Sequence, residues 1–248
     1  MQVMALKQLA EIEHFGRAAL RLRPIWRKKG GIMASKNGLM TNSVSNKTET
    51  LSGELTVPEK ATGVVLMCNG FSDNAHHPHQ DAIAREFRRA KLGTLLLNLL
   101  TPREAENPLK VYAIELLAER VRAAVDWLKL DSRTKKLPIG LWGAETCAAA
   151  ALQTAAIDPQ RIAAVACCGG RPDLARSSLA RVQAPTLLLV GSRDYIGLAQ
   201  NKKHLAYIKG KRQLQTIDDA ANLFESAAAV NEASRLSRDW FREHLHAK

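Results

Sequence analysis

Aromatic residues make up only 5% of the 248-residue sequence, and no run of 18 or more apolar residues occurs. A chain without such a run has no segment long enough for a transmembrane helix. The first thirty residues also lack the continuous apolar stretch of a secretory signal peptide, so a cytoplasmic protein is expected. Hydrophobic residues still reach 46%, which suffices for one large core built mainly of Leu, Ala, Val and Ile.

Cysteine is scarce, and the four cysteines (Cys68, Cys147, Cys167 and Cys168) do not show the spacing of a zinc or redox motif. Three of them lie in apolar segments, where cysteine usually acts as a small buried hydrophobe. This use of cysteine is expected in a reducing compartment. Cys147 begins a predicted helix, where the helix dipole favours a thiolate, so a catalytic thiol is a minor alternative.

The net charge of +12 and the isoelectric point near 9.8 raise the question of an acidic partner. Residues 1–29 form a predicted basic amphipathic helix with seven basic and two acidic residues, and such a helix favours weak contact with acidic membranes. The remaining basic residues are spread along the chain without aromatic residues for base stacking, so nucleic-acid binding is not expected. A polar segment over 35–48 indicates a linker. The predicted organisation is therefore a helix and linker over 1–48 and a domain over 49–248.

From residue 49 onwards, apolar strands alternate with helices. A strand with alternating polarity (49–57) precedes largely apolar strands at 63–68, 94–99, 139–142, 162–167 and 186–190, and a strand of mixed polarity at 213–217. Such runs are typical of a mostly parallel sheet buried on both faces, with helices packed on each side. In an α/β sheet of this kind, binding sites lie beyond the carboxyl ends of the strands.

The turn after the strand 139–142 reads Gly143-Ala144-Glu145-Thr146-Cys147 and opens an alanine-rich helix. A sharp strand-to-helix turn with small neighbours is the geometry of the G-x-S-x-G nucleophile elbow. The run 137–144 resembles the elbow strand of small α/β-hydrolases of the dienelactone-hydrolase-like group, and 169–175 and 184–194 match the same group. The resemblance covers about residue 51 to the C-terminus and implies an α/β-hydrolase fold. No lid domain is expected, because the connection 169–184 is too short to contain one.

The resemblance also assigns triad positions, two of which hold other residues. Glu145 stands at the nucleophile position and Asn222 at the histidine position, while Asp194 keeps the acid. The oxyanion loop of the family corresponds to Asn69, Gly70 and Phe71. Asparagine cannot accept and return a proton near neutral pH, so triad hydrolysis is not expected.

Three further residues complete the candidate ligand-binding set with the oxyanion-loop residues. They are Thr146, His76 and Arg171, and a structural ion pair of Arg171 with Asp173 or Asp194 is an equal alternative to anion binding. His76, His77 and His79 could supply metal ligands with Glu145 and Asp194, but a solvated loop is the preferred interpretation. No metal site and no cofactor are therefore predicted.

Three functional hypotheses remain open. The first is a non-catalytic ligand-binding or regulatory homologue that holds a small molecule, anionic if Arg171 binds it. The second is an ester or lactone hydrolase whose rearranged site uses Glu145 and Asp194 with a loop histidine or a metal. The third is a basic protein that docks on acidic surfaces through its N-terminal helix. The oligomeric state is left open.

Overall fold

The computed structural model describes residues 40–46, 49–70, 78–221 and 226–246. The described strands are β1 (Met40–Asn46), β2 (Glu49–Thr56), β3 (Gly63–Asn69), β4 (Leu92–Asn98), β5 (Ile139–Ala144), β6 (Ile162–Cys168), β7 (Thr186–Gly191) and β8 (Arg212–Ile217). The described α-helices are α1 (Pro78–Arg89), α2 (Pro102–Ala105), α3 (Pro108–Val111), α4 (Ile114–Leu130), α5 (Glu145–Ile157), α6 (Arg176–Leu179), α7 (Tyr195–Leu205) and α8 (Ala227–His244). A 3₁₀ turn covers Pro172–Ala175.

The strands form a single sheet in the order β1-β2-β4-β3-β5-β6-β7-β8. From β4 to β8 neighbouring strands are parallel, whereas β1 and β2 form an antiparallel extension beside β4. The predicted mostly parallel sheet is therefore confirmed. The central strands β3 and β4 are buried along their whole length, which explains why their sequences are mostly apolar.

The sheet is covered by helices on both faces, as predicted. One core contains Leu117 of α4 and Leu152 of α5, together with inward side chains of the sheet. The other core contains Phe87 of α1 and Phe241 of α8, whose rings meet edge to face at 5.5 Å between centroids. Because both faces are occupied, the exposed positions available for a site lie at the ends of the strands.

Residues 40–46 differ from the linker predicted over 35–48, because they form β1. This strand pairs with β2 from Met40 opposite Leu55 to Asn46 opposite Glu49. The prediction relied on composition, and a polar edge strand is held by backbone hydrogen bonds that composition does not reveal. The basic helix predicted over 1–29 lies outside the described residues.

The long helix α4 begins only at Ile114, so residues 99–113 separate it from β4. The segment before it forms the short helices α2 and α3, each opened by a proline and capped by Thr101 or Asn107. Proline is favoured in the first turn of a helix, so each proline begins a short helix of its own and α4 starts only after both. No helix among residues 78–221 or 226–246 is both long and apolar enough to cross a membrane.

Candidate functional site

The β5–α5 turn is a constrained point at the carboxyl edge of the sheet. The strand ends at Ala144, and the first residue of α5, Glu145, has a φ of 48°. For a residue with a Cβ this left-handed conformation costs roughly 1–2 kcal/mol. The Glu145 side chain is exposed, so its carboxylate faces solvent at the end of the sheet.

Close backbone packing explains the small residues around this turn. A Cβ on Gly143 would lie 2.7 Å from the carbonyl oxygen of Cys147, in the first turn of α5. A Cβ on Gly170 would lie 2.6 Å from the Cβ of Ala148. The loop after β6 therefore rests directly on α5, and the Arg171 backbone N–H donates to the Glu145 carbonyl oxygen at 3.2 Å.

The carboxyl end of β3 lies beside the same turn. A Cβ on Gly70 would lie 3.1 Å from Cys147 Sγ and 3.9 Å from Thr146 Oγ1, so Gly70 and buried Thr146 are neighbours. The Asn69 side-chain amide donates to Asn98 Oδ1 at 3.0 Å, which joins the ends of β3 and β4. Phe71 and His76 lie outside the described residues.

Asp194 has a structural partner in its own helix. Its carboxylate accepts a hydrogen bond from the Gly197 backbone N–H at 2.8 Å and so caps the N-terminus of α7. An N-cap of this kind stabilises a helix whatever the chemistry nearby. The chain that leads to Asn222 passes next to this loop, since the Arg193 N–H donates to the Ala220 carbonyl oxygen at 3.0 Å. Asn222 itself lies outside the described residues.

Arg171 is paired with Asp173, one of the two structural partners considered from the sequence. Two guanidinium nitrogens donate to the two carboxylate oxygens at 2.9 and 2.7 Å. This pairing raises the pKa of Arg171 and lowers the pKa of Asp173. An anionic ligand that binds Arg171 would have to share the guanidinium with Asp173 or displace the Asp173 carboxylate.

The four cysteines are all free and buried, as expected for small hydrophobes. Burial is the main reason that the pKa of Cys147 and that of Cys168 are each raised to about 12, and it also raises the pKa of Cys68 and of Cys167. The thiolate suggested for Cys147 by the helix dipole is therefore wrong. Desolvation and the nearby Glu145 carboxylate outweigh the dipole.

We expect the folded protein to resist thiol reagents at pH 8. A thiol with a pKa of about 12 is roughly one part in 10⁴ thiolate at that pH, and the thiolate is the reactive form. With Ellman's reagent, the native chain should show almost no reaction over minutes, whereas the chain in guanidinium chloride should show four thiols. Rapid reaction of one native thiol would show that a cysteine is exposed and activated.

Metal-ligand chemistry finds no support in the described part of the chain. Within residues 40–46, 49–70, 78–221 and 226–246, no group of three or more His, Cys, Asp and Glu side chains could hold a metal ion. Of the histidines in the metal hypothesis, only His79 is described, and it lies in the first turn of α1. His77 lies outside the described residues, like His76.

Three residues near the site were not identified from the sequence. Tyr112, 56% exposed, lies close enough to Arg171 to raise its pKa, although the two residues belong to different connections. Buried Asn201 of α7 donates to the Gly170 carbonyl oxygen at 3.1 Å and so supports the loop after β6. Neither Tyr112 nor Asn201 directly follows a strand, so the expectation that site residues follow the strands does not identify them. Asn98 does end a strand, and that expectation could have identified it.

Similarity to known proteins agrees with this geometry. A dienelactone hydrolase from Anabaena variabilis is 38% identical, with a TM-score of 0.79, over 84% of this chain and 98% of that chain. The chain belongs to the dienelactone-hydrolase-like α/β-hydrolases. An α/β serine hydrolase from Xanthomonas campestris, described as lacking a lid, is 16% identical with a TM-score of 0.68 over 85% of this chain and 96% of that chain, and it shares the fold. In this chain the described connection 169–185 contains only the 3₁₀ turn and the short helix α6. No protein-family model matches the chain.

Curated relatives from two strains of Mycobacterium tuberculosis carry a provisional name as phosphoribosyl transferases. They are 43% identical over 195 residues, which is 79% of this chain. The matched segment is only 44% of each relative, so the chain spans less than half the length of these proteins. The larger part of each relative lies outside the match.

Proposed function

We propose that the protein is a dienelactone-hydrolase-like homologue that lacks triad hydrolysis and uses the carboxyl edge of its sheet as a ligand-binding or regulatory site. One observation carries the proposal: the residue in the strained β5–α5 turn is Glu145. The turn corresponds to the nucleophile elbow of the family, where a hydroxyl or thiol would attack the substrate.

The surroundings of Glu145 support this proposal. The thiol in the same turn, Cys147, is buried, and its pKa is raised to about 12. The acid position, Asp194, caps α7, and the sequence has Asn222 where the family has histidine. A glutamate that attacked an ester would form an acyl anhydride, and no histidine stands at the triad position to activate water against it.

The rearranged hydrolase remains the second candidate, because the backbone at Glu145 is left-handed. Strained conformations of this kind cluster at active sites, where the strain positions a reacting group. An exposed carboxylate held in that geometry could serve as a general base for water. Phosphoribosyl transfer is not proposed, since the name belongs to relatives of which this chain matches less than half.

The distinguishing experiment is hydrolysis of short-chain p-nitrophenyl esters by the full chain, with and without added zinc or manganese. We expect the wild-type rate to equal the rates of the Glu145→Ala and Asp194→Ala variants under every condition. Glu106→Ala is the matched control, because Glu106 is another exposed glutamate at the carboxyl edge. Turnover that disappears in Glu145→Ala but persists in Glu106→Ala would overturn the proposal in favour of the rearranged hydrolase.

A further inference from the structure

The edge of the sheet opposite the candidate site is strongly basic. Six connections enter the parallel strands β3 to β8 at this edge, at residues 57–62, 90–91, 131–138, 158–161, 180–185 and 206–211. They contain nine basic residues: Lys60, Lys91, Arg133, Lys135, Lys136, Arg161, Arg181, Lys209 and Lys211. They contain only three acidic residues: Glu59, Asp131 and Asp158. We call these six connections the basic edge.

Most of the positive charge on the basic edge is not neutralised locally. Arg133 pairs with Asp131, Arg161 with Asp158 and Asp126, and Lys211 with Glu243. The other six basic residues have no ion pair with another described residue, and all are exposed: Lys60, Lys91, Lys135, Lys136, Arg181 and Lys209. The strands from β4 to β8 span about 24 Å at the usual spacing, so these charges form an extended strip.

The described connections at the carboxyl edge carry the opposite balance. Residues 99–113, 169–175, 192–194 and 218–221 contain the basic residues Arg103, Lys110, Arg171 and Arg193. The same connections contain the acidic residues Glu104, Glu106, Asp173, Asp194, Asp218 and Asp219. Of the two edges, only the basic edge therefore has more basic than acidic residues on its described connections.

Two exposed aliphatic side chains adjoin the basic edge. Leu130 is 71% exposed and Ile157 is 44% exposed. Each is the last residue of its helix, α4 or α5, and these helices pack against each other. Exposed aliphatic side chains next to a basic surface are typical of regions that enter the headgroup layer of a bilayer.

We propose that the basic edge binds a membrane surface containing anionic lipids, with Leu130 and Ile157 entering the interface and the lysines contacting headgroups. Nucleic acid is disfavoured, because the single aromatic residue on the six connections, Tyr207, has its ring against the Arg176 guanidinium at 5.7 Å. Bases would find no free ring for stacking there. In this orientation the carboxyl edge with Glu145 faces away from the membrane.

The test is sedimentation of the full chain with phosphatidylcholine vesicles, either pure or containing about 30% phosphatidylserine, at about 0.05 M and about 0.3 M salt. We expect binding only to the anionic vesicles and weaker binding at the higher salt. Lys135→Ala/Lys136→Ala should reduce the partition coefficient at least about tenfold, because each basic residue near such a surface contributes about a fivefold factor. Leu130→Ser should weaken binding at both salt concentrations, because it removes apolar insertion.

Arg103→Ala/Lys110→Ala removes the same charge from the carboxyl edge and is the matched control, with unchanged binding expected. The N-terminal segment is present in every variant, so its own basic residues cannot produce a difference between the pairs. Equal losses in the two pairs, or equal binding to neutral and anionic vesicles, would overturn the proposal. So would tighter binding of duplex DNA that depends on Lys135 and Lys136.

Discussion

Arg120→Ala should lower the free energy of unfolding by about 3–5 kcal/mol, the usual cost of removing one partner from a buried ion pair. Arg120 is only 4% exposed, and one of its nitrogens donates to the Leu99 carbonyl oxygen at 2.6 Å. The guanidinium also donates to both carboxylate oxygens of Glu104, at 2.7 and 2.8 Å. These hydrogen bonds are the main reason that the pKa of Glu104 falls to about 2. Without Arg120, the Glu104 carboxylate would stay charged in a poorly solvated place.

Urea unfolding at pH 7 measures this change, with Arg235→Ala as the control. Arg235 also forms a two-bond ion pair, with Glu232, but its side chain is 50% exposed. Exposed pairs contribute at most about 1 kcal/mol, so the control should unfold close to the wild type. Similar losses in the two variants would show that burial does not decide the importance of the Arg120 pair. The pair attaches the segment between β4 and α4 to α4. We therefore expect the Arg120→Ala variant also to hold this segment, which contains Tyr112, less firmly.

Gly143→Ala is expected to destabilise the protein by about 3 kcal/mol or more, since it forces a backbone shift in a packed core. The new Cβ would lie 2.7 Å from the Cys147 carbonyl oxygen and 2.9 Å from the Ala148 nitrogen, and both are backbone atoms of α5. The strand and the helix cannot separate without losing the close packing at the β5–α5 turn. The melting temperature should fall by roughly 6–12 °C in a chain of this size.

Gly93→Ala is the matched control for this second prediction. Gly93 is also a buried strand glycine, but the nearest atoms to its new Cβ would be at 3.4–3.5 Å, an ordinary contact distance. We expect this variant to change the melting temperature by less than about 3 °C. Equal melting temperatures for Gly143→Ala and Gly93→Ala would contradict this prediction. They would mean that the α5 backbone accommodates the new Cβ more easily than its close packing indicates.

The sequence by itself determined the layered fold and the family. Largely apolar runs such as 63–68 and 186–190 can be buried only in a sheet covered on both faces, and five such runs separated by helices leave few other architectures. The family resemblance of segments such as 137–144 and 184–194 is enough to place Glu145 and Asp194 at the carboxyl edge. Local patterns were sufficient because strand burial and turn chemistry depend mainly on neighbouring residues.

The sequence could not determine which partners the candidate residues take. Helix capping by Asp194, the pairing of Arg171 with Asp173 rather than Asp194, and the burial of Cys147 beneath Gly70 each depend on a choice among competing neighbours. The strand β1 could not be predicted for a similar reason, because a polar edge strand is defined by its pairing with β2 and not by its own composition. Only the tertiary structure fixes such choices, since hydrogen bonds and desolvation act over a few ångströms between residues that can be far apart in sequence.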